Sequence, residues 1–210
     1  MSALLASLLL LANALPAAAG HAEPVLPAGA TASELVSSCR TMIPRDIEIS
    51  GRIILRNRRG IVQKEHAYVL KRSAAQTDLS VDGARLEPPS DPARMSDGLL
   101  GTDVTWSDLT LDYLWWPEVS FDETRESETV HGQLCSVIVM KRGERLVRVW
   151  VDRRTGAMMQ AEEVSGGKAV RRLWGTRIKK FGDRWAPNVM EVETIGSGHR
   201  TKITVEDMKL

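Results

Sequence analysis

Residues 133–164 read QLCSVIVMKRGERLVRVWVDRRTGAMMQAEEV, and this stretch decides the fold. Apolar and polar residues alternate along much of it, which is the period of a β-strand with one buried face. Turn signals at 142–144 (Arg-Gly-Glu) and 154–156 (Arg-Thr-Gly) divide it. The predicted strands are 133–141, 146–152 and 157–164. Connections this short join only antiparallel neighbours, so the stretch predicts part of an antiparallel meander.

The same pattern covers most of the remaining chain. Further strands are predicted at 46–56, 61–72, 76–81, 119–130, 169–179, 184–195 and 200–209. Helix is predicted only at 31–42, with Ser33 as its N-cap, and as one short turn at 105–109. Because no long helices alternate with the strands, a parallel α/β sheet is excluded. The sequence therefore predicts a mainly β fold, a single curled antiparallel sheet that is closed or half closed.

The two faces of this predicted sheet differ in character. In strand 146–152, Val149 and Val151 share one face, whereas Arg148 lies on the other. The candidate lining residues of the apolar face are Ile49, Ile53, Leu55, Val149, Val151, Met190, Val192, Ile203 and Val205. A helix over 31–42 would be ~18 Å long, which is too short to cover so many strands. The pattern thus predicts a hydrophobic cavity for a ligand, with core side chains filling the hollow as the alternative.

The first 22 residues predict export. They contain no Lys, Arg, Asp or Glu, and their apolar run at 4–15 has the length of a signal-peptide core but is too short to cross a bilayer. Small residues then offer cleavage sites after Ala19 or Ala22. We expect a signal peptide over 1–22, a leader over 23–30 and one domain over 31–210. The mature chain would be a soluble periplasmic protein without an integral membrane span.

The composition and motifs exclude several function classes. The chain has 28 Lys and Arg against 27 Asp and Glu, so it lacks the excess of basic residues that is typical of nucleic-acid-binding proteins. No metalloprotease, nucleophile-elbow, Walker or C-x-x-C motif is present. The run Gly196–His199 is predicted to be a strand-to-strand turn, and Asp103, Asp108 and Asp112 are predicted turn and cap residues. We therefore predict no catalytic residue, no cofactor and no metal site.

The chain has two cysteines, Cys39 and Cys135. In an oxidising compartment they could form a disulfide that closes a long loop. Two buried thiols in different elements are the alternative, because a sequence does not show the geometry that a disulfide needs. Both alternatives stay open at this point.

Several short motifs, in order, carry a resemblance to a known family. They are the residues at 99–103 followed by 106–109 (LLGTD, WSDL), 130–135 (VHGQLC), 149–156 (VWVDRRTG), 181–187 (FGDRWAP) and 198–204 (GHRTKIT). With this order and spacing, 98–210 resembles the LolA-like outer-membrane lipoprotein-sorting family. The resemblance implies a half-open antiparallel barrel, with helices over a hydrophobic cavity, that works in the bacterial periplasm. No individual functional residue is carried over from the family.

Three functions are compatible with these patterns. The first is a periplasmic carrier that binds lipoprotein acyl chains or lipid in the cavity, as the resemblance implies. The second is a non-enzymatic sensor or scaffold module of the same fold that binds an envelope protein partner. A secreted hydrolase is the third, and no nucleophile has a base at a recognisable spacing to support it.

Overall fold

The computed structural model describes residues 29–73 and 76–209. The predicted signal peptide over 1–22 and the leader residues 23–28 lie outside the described residues. The division of the chain into signal, leader and domain therefore stays a prediction. No helix within the two described ranges is long and apolar enough to cross a membrane.

The described part of the chain forms twelve strands, all in one antiparallel sheet. The strands are β1 Ile47–Asn57, β2 Val62–Arg72, β3 Thr77–Val81, β4 Ala84–Leu86, β5 Glu118–Phe121, β6 Ser127–Val130, β7 Gln133–Arg142, β8 Arg145–Asp152, β9 Met158–Ser165, β10 Lys168–Phe181, β11 Arg184–Thr194 and β12 His199–Lys209. Their order is β4-β3-β2-β1-β12-β11-β10-β9-β8-β7-β5, and β6 also pairs with β7. The mainly β, antiparallel prediction is confirmed.

The first and last strands meet in the interior of the sheet. β1 pairs with β12, so that Ile53 lies opposite Ile203. The edges are β4 and β5, which follow one another along the chain. Because these two edges do not pair, the sheet is open rather than closed into a barrel. The structure thus excludes the closed sheet and agrees with the half-closed prediction.

Two strands were missed by the sequence analysis. The tight turn at Asp82 and Gly83, both with positive φ, returns the chain into β4 beside β3. The single strand predicted over 119–130 was wrong, because a loop separates β5 from β6. The Asp122 carboxylate starts this loop by accepting hydrogen bonds from the main-chain N (2.8 Å) and the hydroxyl (2.6 Å) of Thr124.

Helix α1 spans Ala32–Thr41 and begins two residues earlier than the predicted cap at Ser33 allows. Its N-cap is Thr31, whose hydroxyl accepts a hydrogen bond from the main-chain N of Glu34 at 3.3 Å. The Glu34 carboxylate accepts one in return from the main-chain N of Thr31 at 2.7 Å. The prediction of Ser33 was wrong because this reciprocal capping box needs a carboxylate three residues after the cap.

Residues 87–117 connect β4 to β5 and so run from one sheet edge to the other; we call them the cover segment. They contain two 3₁₀ helices, Pro92–Ser96 and Asp112–Trp115, and the short helix α2, Trp106–Thr110. The helical turn predicted at 105–109 is confirmed by α2, whereas the 3₁₀ helices were not predicted. The core lies between the apolar face of the sheet, α1 and the cover segment.

Cys39 and Cys135 are both free and buried. The Cys39 thiol donates a hydrogen bond to the main-chain oxygen of Gly156 at 3.1 Å. Burial raises the pKa of each thiol to about 12. The structure thus adopts the second alternative, two buried thiols.

Neither thiol of the folded protein is expected to react with iodoacetamide at neutral pH. Both thiols are shielded, and little thiolate, the reactive form, is present. Mass spectrometry should show no addition to the native protein and two additions after unfolding in guanidinium without reductant. One or no addition after that unfolding would instead indicate that the cysteines are oxidised.

Candidate functional site

The nine residues that the sequence predicted as cavity lining all lie on one face of the sheet, its inner face. All are buried, with exposed fractions between 0% and 6%. They belong to β1, β8, β11 and β12. Register partners in neighbouring strands face the same side, which brings Ile53, Ile203 and Met190 next to one another.

One row of register partners crosses seven strands, from β7 to β1, and we call it the apolar row. Its members are Ile138, Val149, Ala161, Leu173, Val192, Thr201 and Leu55. All are buried, and only Thr201 is polar. With strands ~4.8 Å apart, the row extends over ~29 Å. The sheet therefore presents a long, continuous apolar surface on its inner side.

In the described conformation this surface is covered. Leu109, Leu114 and Trp116 of the cover segment and Leu35 and Val36 of α1 join the same cluster of buried side chains. Each of the five is at most 3% exposed. The inner face thus contacts protein side chains, and a ligand on the apolar row would have to displace part of this cover.

Arg171 fastens the cover segment to the inner face. It lies on β10, two residues before Leu173, and only 14% of its side chain is exposed. Its guanidinium donates to the Asp108 carboxylate, to the main-chain oxygen of Asp103 at 2.6 Å and to Glu163 of β9 at 3.4 Å. Burial opposes the charge, but the two carboxylates outweigh burial and raise the pKa of Arg171 above its ordinary value.

The Asp108 carboxylate has a second role at the start of α2. It accepts hydrogen bonds from the main-chain N of Thr105 at 2.7 Å and from the Thr105 hydroxyl at 2.9 Å. Arg171 therefore binds the capping box of α2 itself. The predicted capping role of Asp108 is confirmed, and its contact with Arg171 adds a link between α2 and the sheet.

Arg145, the first residue of β8, makes a second set of contacts between the sheet and the cover segment. Its guanidinium donates to the main-chain oxygen of Pro92 at 3.0 Å and to the Ser107 hydroxyl at 3.3 Å. The same group lies over the Trp116 ring, 4.7 Å from the centroid. Arg145 and Arg171 border a cavity of only about 20 Å³ between sheet and cover segment. These two arginines hold the cover segment to the sheet by directional polar contacts.

Comparison with known proteins places this arrangement in a family. A family model with the description "Uncharacterized protein" matches residues 89–210, more than half of the chain, so the chain belongs to that family. A LolA superfamily protein from Nitrosomonas europaea has a similar structure, with a TM-score of 0.69 at 15% identity over 87% of this chain and 94% of that one. The fold is LolA-like.

Two further structures share the LolA-like fold. A domain from Vibrio parahaemolyticus, described as an outer membrane lipoprotein-sorting protein, has a TM-score of 0.61 at 14% identity, over 85% of this chain and 91% of that one. A DUF1329 family protein from Desulfovibrio piger has a TM-score of 0.60 at 15% identity, with the same coverage of both chains. No curated protein matches the sequence. The LolA-like resemblance of residues 98–210 is confirmed, and identities this low show the fold alone.

The sequence analysis did not predict the polar contacts of Arg171 and Arg145 with the cover segment of this LolA-like domain. One signal was present, because Arg171 has the strand parity of Leu173, and Glu163 has that of Ala161. A charged residue on an otherwise apolar face needs a buried partner. Its partner, Asp108, is distant in sequence and could not be assigned without the path of the cover segment.

Residues 196–198 form the turn between β11 and β12, as predicted, and His199 begins β12. Ser197 Oγ and Asp103 Oδ2 lie 3.3 Å and 3.2 Å from the same ring nitrogen of His199, Nδ1. A hydrolase relay needs the nucleophile and the carboxylate on different nitrogens. These three residues therefore do not form such a relay. Residues 29–73 and 76–209 also contain no group of three or more His, Cys, Asp or Glu able to hold a metal ion.

Proposed function

We propose that this protein is a periplasmic carrier that binds the acyl chains of lipoproteins, or of lipid, on its inner face during outer-membrane lipoprotein sorting. The observation that carries the proposal is the apolar row, which is continuous over seven strands and lies under the cover segment. Arg171 and Arg145 hold that segment to the sheet by polar contacts. The fold shared with the Vibrio lipoprotein-sorting domain supports the class of cargo. The proposed role makes and breaks no covalent bond.

Binding in this scheme exchanges one apolar contact for another. An acyl chain gains ~0.8 kcal/mol for each methylene group that leaves water. When the cover segment opens, Leu109, Leu114 and Trp116 lose their burial, and this opposes binding. The affinity is the difference between the two, so cargo is held reversibly. Reburial of the same three side chains favours release.

The polar contacts of Arg171 and Arg145 with the cover segment determine how often the inner face is accessible. An apparent dissociation constant rises as the fraction of molecules in the binding-competent state falls. Arg171 and Arg145 stabilise the closed state by contacts that an acyl chain cannot replace. A protein partner or a membrane surface that competes for these contacts would open the cover.

The proposal predicts acyl-bearing molecules in protein purified from its native envelope, detected by lipid extraction and mass spectrometry. Ala161 is the smallest member of the apolar row and is buried, so Ala161→Leu should fill space there and reduce the acyl content. The matched control is Ala67→Leu at an exposed site on β2, which should leave the acyl content unchanged.

Repeated absence of acyl molecules from the wild-type protein would contradict the carrier function, as would equal loading of the two variants. The alternative inferred from the sequence, a module that binds an envelope protein, requires no acyl chain and would be favoured by that result. Circular dichroism of both variants separates loss of loading from loss of fold.

A further inference from the structure

A cleft of about 460 Å³ opens on the outer face of the sheet, opposite the apolar row. It lies where β1, β11 and β12 meet the turns at 57–60 and 196–198. Its charged lining residues are Arg56, Arg58, Glu191, Glu193, Arg200 and Lys202. A cleft of this volume is in the range of small-molecule sites. None of these residues belongs to the inner face or to its cover.

The charges of the cleft are unevenly paired. Arg200 contacts Glu191 at 3.0 Å and Glu193 at 3.3 Å, and Lys202 contacts Glu191 at 3.5 Å. Among the residues that the structure describes, Arg56 has no carboxylate partner. Arg58 has none within the same ranges. The cleft therefore carries about two uncompensated positive charges, both on guanidinium groups.

Arg56 occupies a position that is unfavourable without a ligand. In the register of β1 and β12 it lies directly opposite Arg200, and like charges at such a pair destabilise a sheet. Its Nη1 donates only a long hydrogen bond of 3.4 Å to the main-chain oxygen of Gly60. Its Nε is buried and has no acceptor. A buried donor left without an acceptor is unfavourable, and rotation of the guanidinium toward a bound oxyanion would give this donor an acceptor.

The neighbouring groups fix a second and a third guanidinium at the cleft. Arg200 lies over the Trp174 ring, 4.9 Å from the centroid, which orients its plane. Arg58 crosses the turn before β12 at Gly198, where a Cβ would lie 3.2 Å from the Arg58 Nε. The absence of a side chain at Gly198 thus leaves room for Arg58 at the cleft.

We propose that this cleft binds a phosphate group, with Arg56 and Arg58 as its principal ligands. Guanidinium groups match the oxygen geometry of phosphate and bind it by paired, charge-assisted hydrogen bonds. Two uncompensated cations are enough to balance a phosphate group, whose charge is about −2 in a monoester and −1 in a diester such as the phosphatidylglycerol headgroup. The volume exceeds that of phosphate alone, so the group is either free or part of a larger molecule such as a lipid headgroup.

The test uses the full folded chain and two forms of the probe. Inorganic phosphate is titrated by isothermal calorimetry at low ionic strength. In parallel, the protein is sedimented with vesicles of phosphatidylcholine, with and without phosphatidylglycerol. Saturable binding of inorganic phosphate identifies a free phosphate. Binding only to vesicles that contain phosphatidylglycerol identifies a headgroup.

Arg56→Gln should weaken whichever binding is observed by at least about tenfold, because it removes a charge-assisted pair of hydrogen bonds. The matched control is Arg52→Gln. It removes the same charge from the same strand and face, but Arg52 already pairs with Glu65 and Glu206 and lies outside the cleft. The affinity of the Arg52→Gln variant for the same probe should stay within about twofold of the wild-type affinity.

Two results would overturn the proposal: no binding of either probe, or equal binding by the wild type and the Arg56→Gln variant. Added salt should weaken true binding, because charges near the surface are screened. If Arg56→Gln does not fold, Arg58→Gln at the exposed turn takes its place, with the same tenfold loss expected.

Discussion

Replacing Arg171 by Met is expected to lower the free energy of unfolding by about 3–5 kcal/mol, as when one partner of a buried ion pair is removed. The substitution leaves the buried Asp108 carboxylate without its cation. Among the described residues, it also removes the only side-chain donor to the main-chain oxygen of Asp103. Guanidinium denaturation monitored by tryptophan fluorescence measures the loss. Hydrogen exchange should show the largest change in the cover segment, residues 87–117.

The same variant should bind an acyl probe more tightly. Releasing the cover raises the fraction of molecules with an accessible inner face, and each 1.4 kcal/mol of that shift is about tenfold in apparent affinity. Fluorescence of cis-parinaric acid measures it. The matched control is Arg172→Met, whose side chain lies on the outer face and pairs with Glu162, not with the cover segment. Arg172→Met should leave the affinity for the probe unchanged.

Adding Asp108→Asn to Arg171→Met removes the uncompensated carboxylate and should restore part of the stability. The double variant should keep the raised affinity for cis-parinaric acid, because the link to the sheet is still absent. An unchanged affinity in both variants would show that Arg171 stabilises the fold without controlling access to the inner face.

Gly51→Ala is the second substitution with a large expected effect, a loss of about 3 kcal/mol. A Cβ at Gly51 would lie 1.8 Å from the main-chain oxygen of Thr204 on β12. The obstacle is backbone, so no side-chain rotation can relieve the clash. The register of β1 and β12 also shifts between Ser50 and Gly51, so the clash falls at a bulge in the pairing of these strands.

Gly51 also gives Tyr68 access to β12. The Tyr68 hydroxyl donates to the Thr204 oxygen at 3.2 Å, and burial raises the pKa of that hydroxyl. A suitable control is Gly143→Ala in the turn before β8. There φ is +59° and no atom lies within 4 Å of a Cβ, so only the backbone strain of about 1–2 kcal/mol applies. Equal losses in the two variants, measured by denaturation, would contradict the clash.

The strands and the apolar face of this protein were predictable because their signals are local. Alternation with a period of two places Val149, Val192 and Ile203 on the apolar face of their strands, whichever strands pair with one another. The turn at 142–144 is also a local signal, because its own residues predict that the two flanking strands are antiparallel neighbours. Local signals also misled in places. The run at 119–130 contains no Gly or Pro to mark a break, yet Asp122 binds Thr124 and ends the strand there.

Sequence alone determined the fold class, the number of strands to within two, and the residues of the inner face. Tertiary structure decided that β1 and β12 join at the middle, so that the sheet opens between β4 and β5 and the cover segment spans it. It also decided that Arg171 meets Asp108 on one face and that Arg56 lies opposite Arg200 on the other. These pairings depend on contacts between distant parts of the chain, which residue periodicity does not encode.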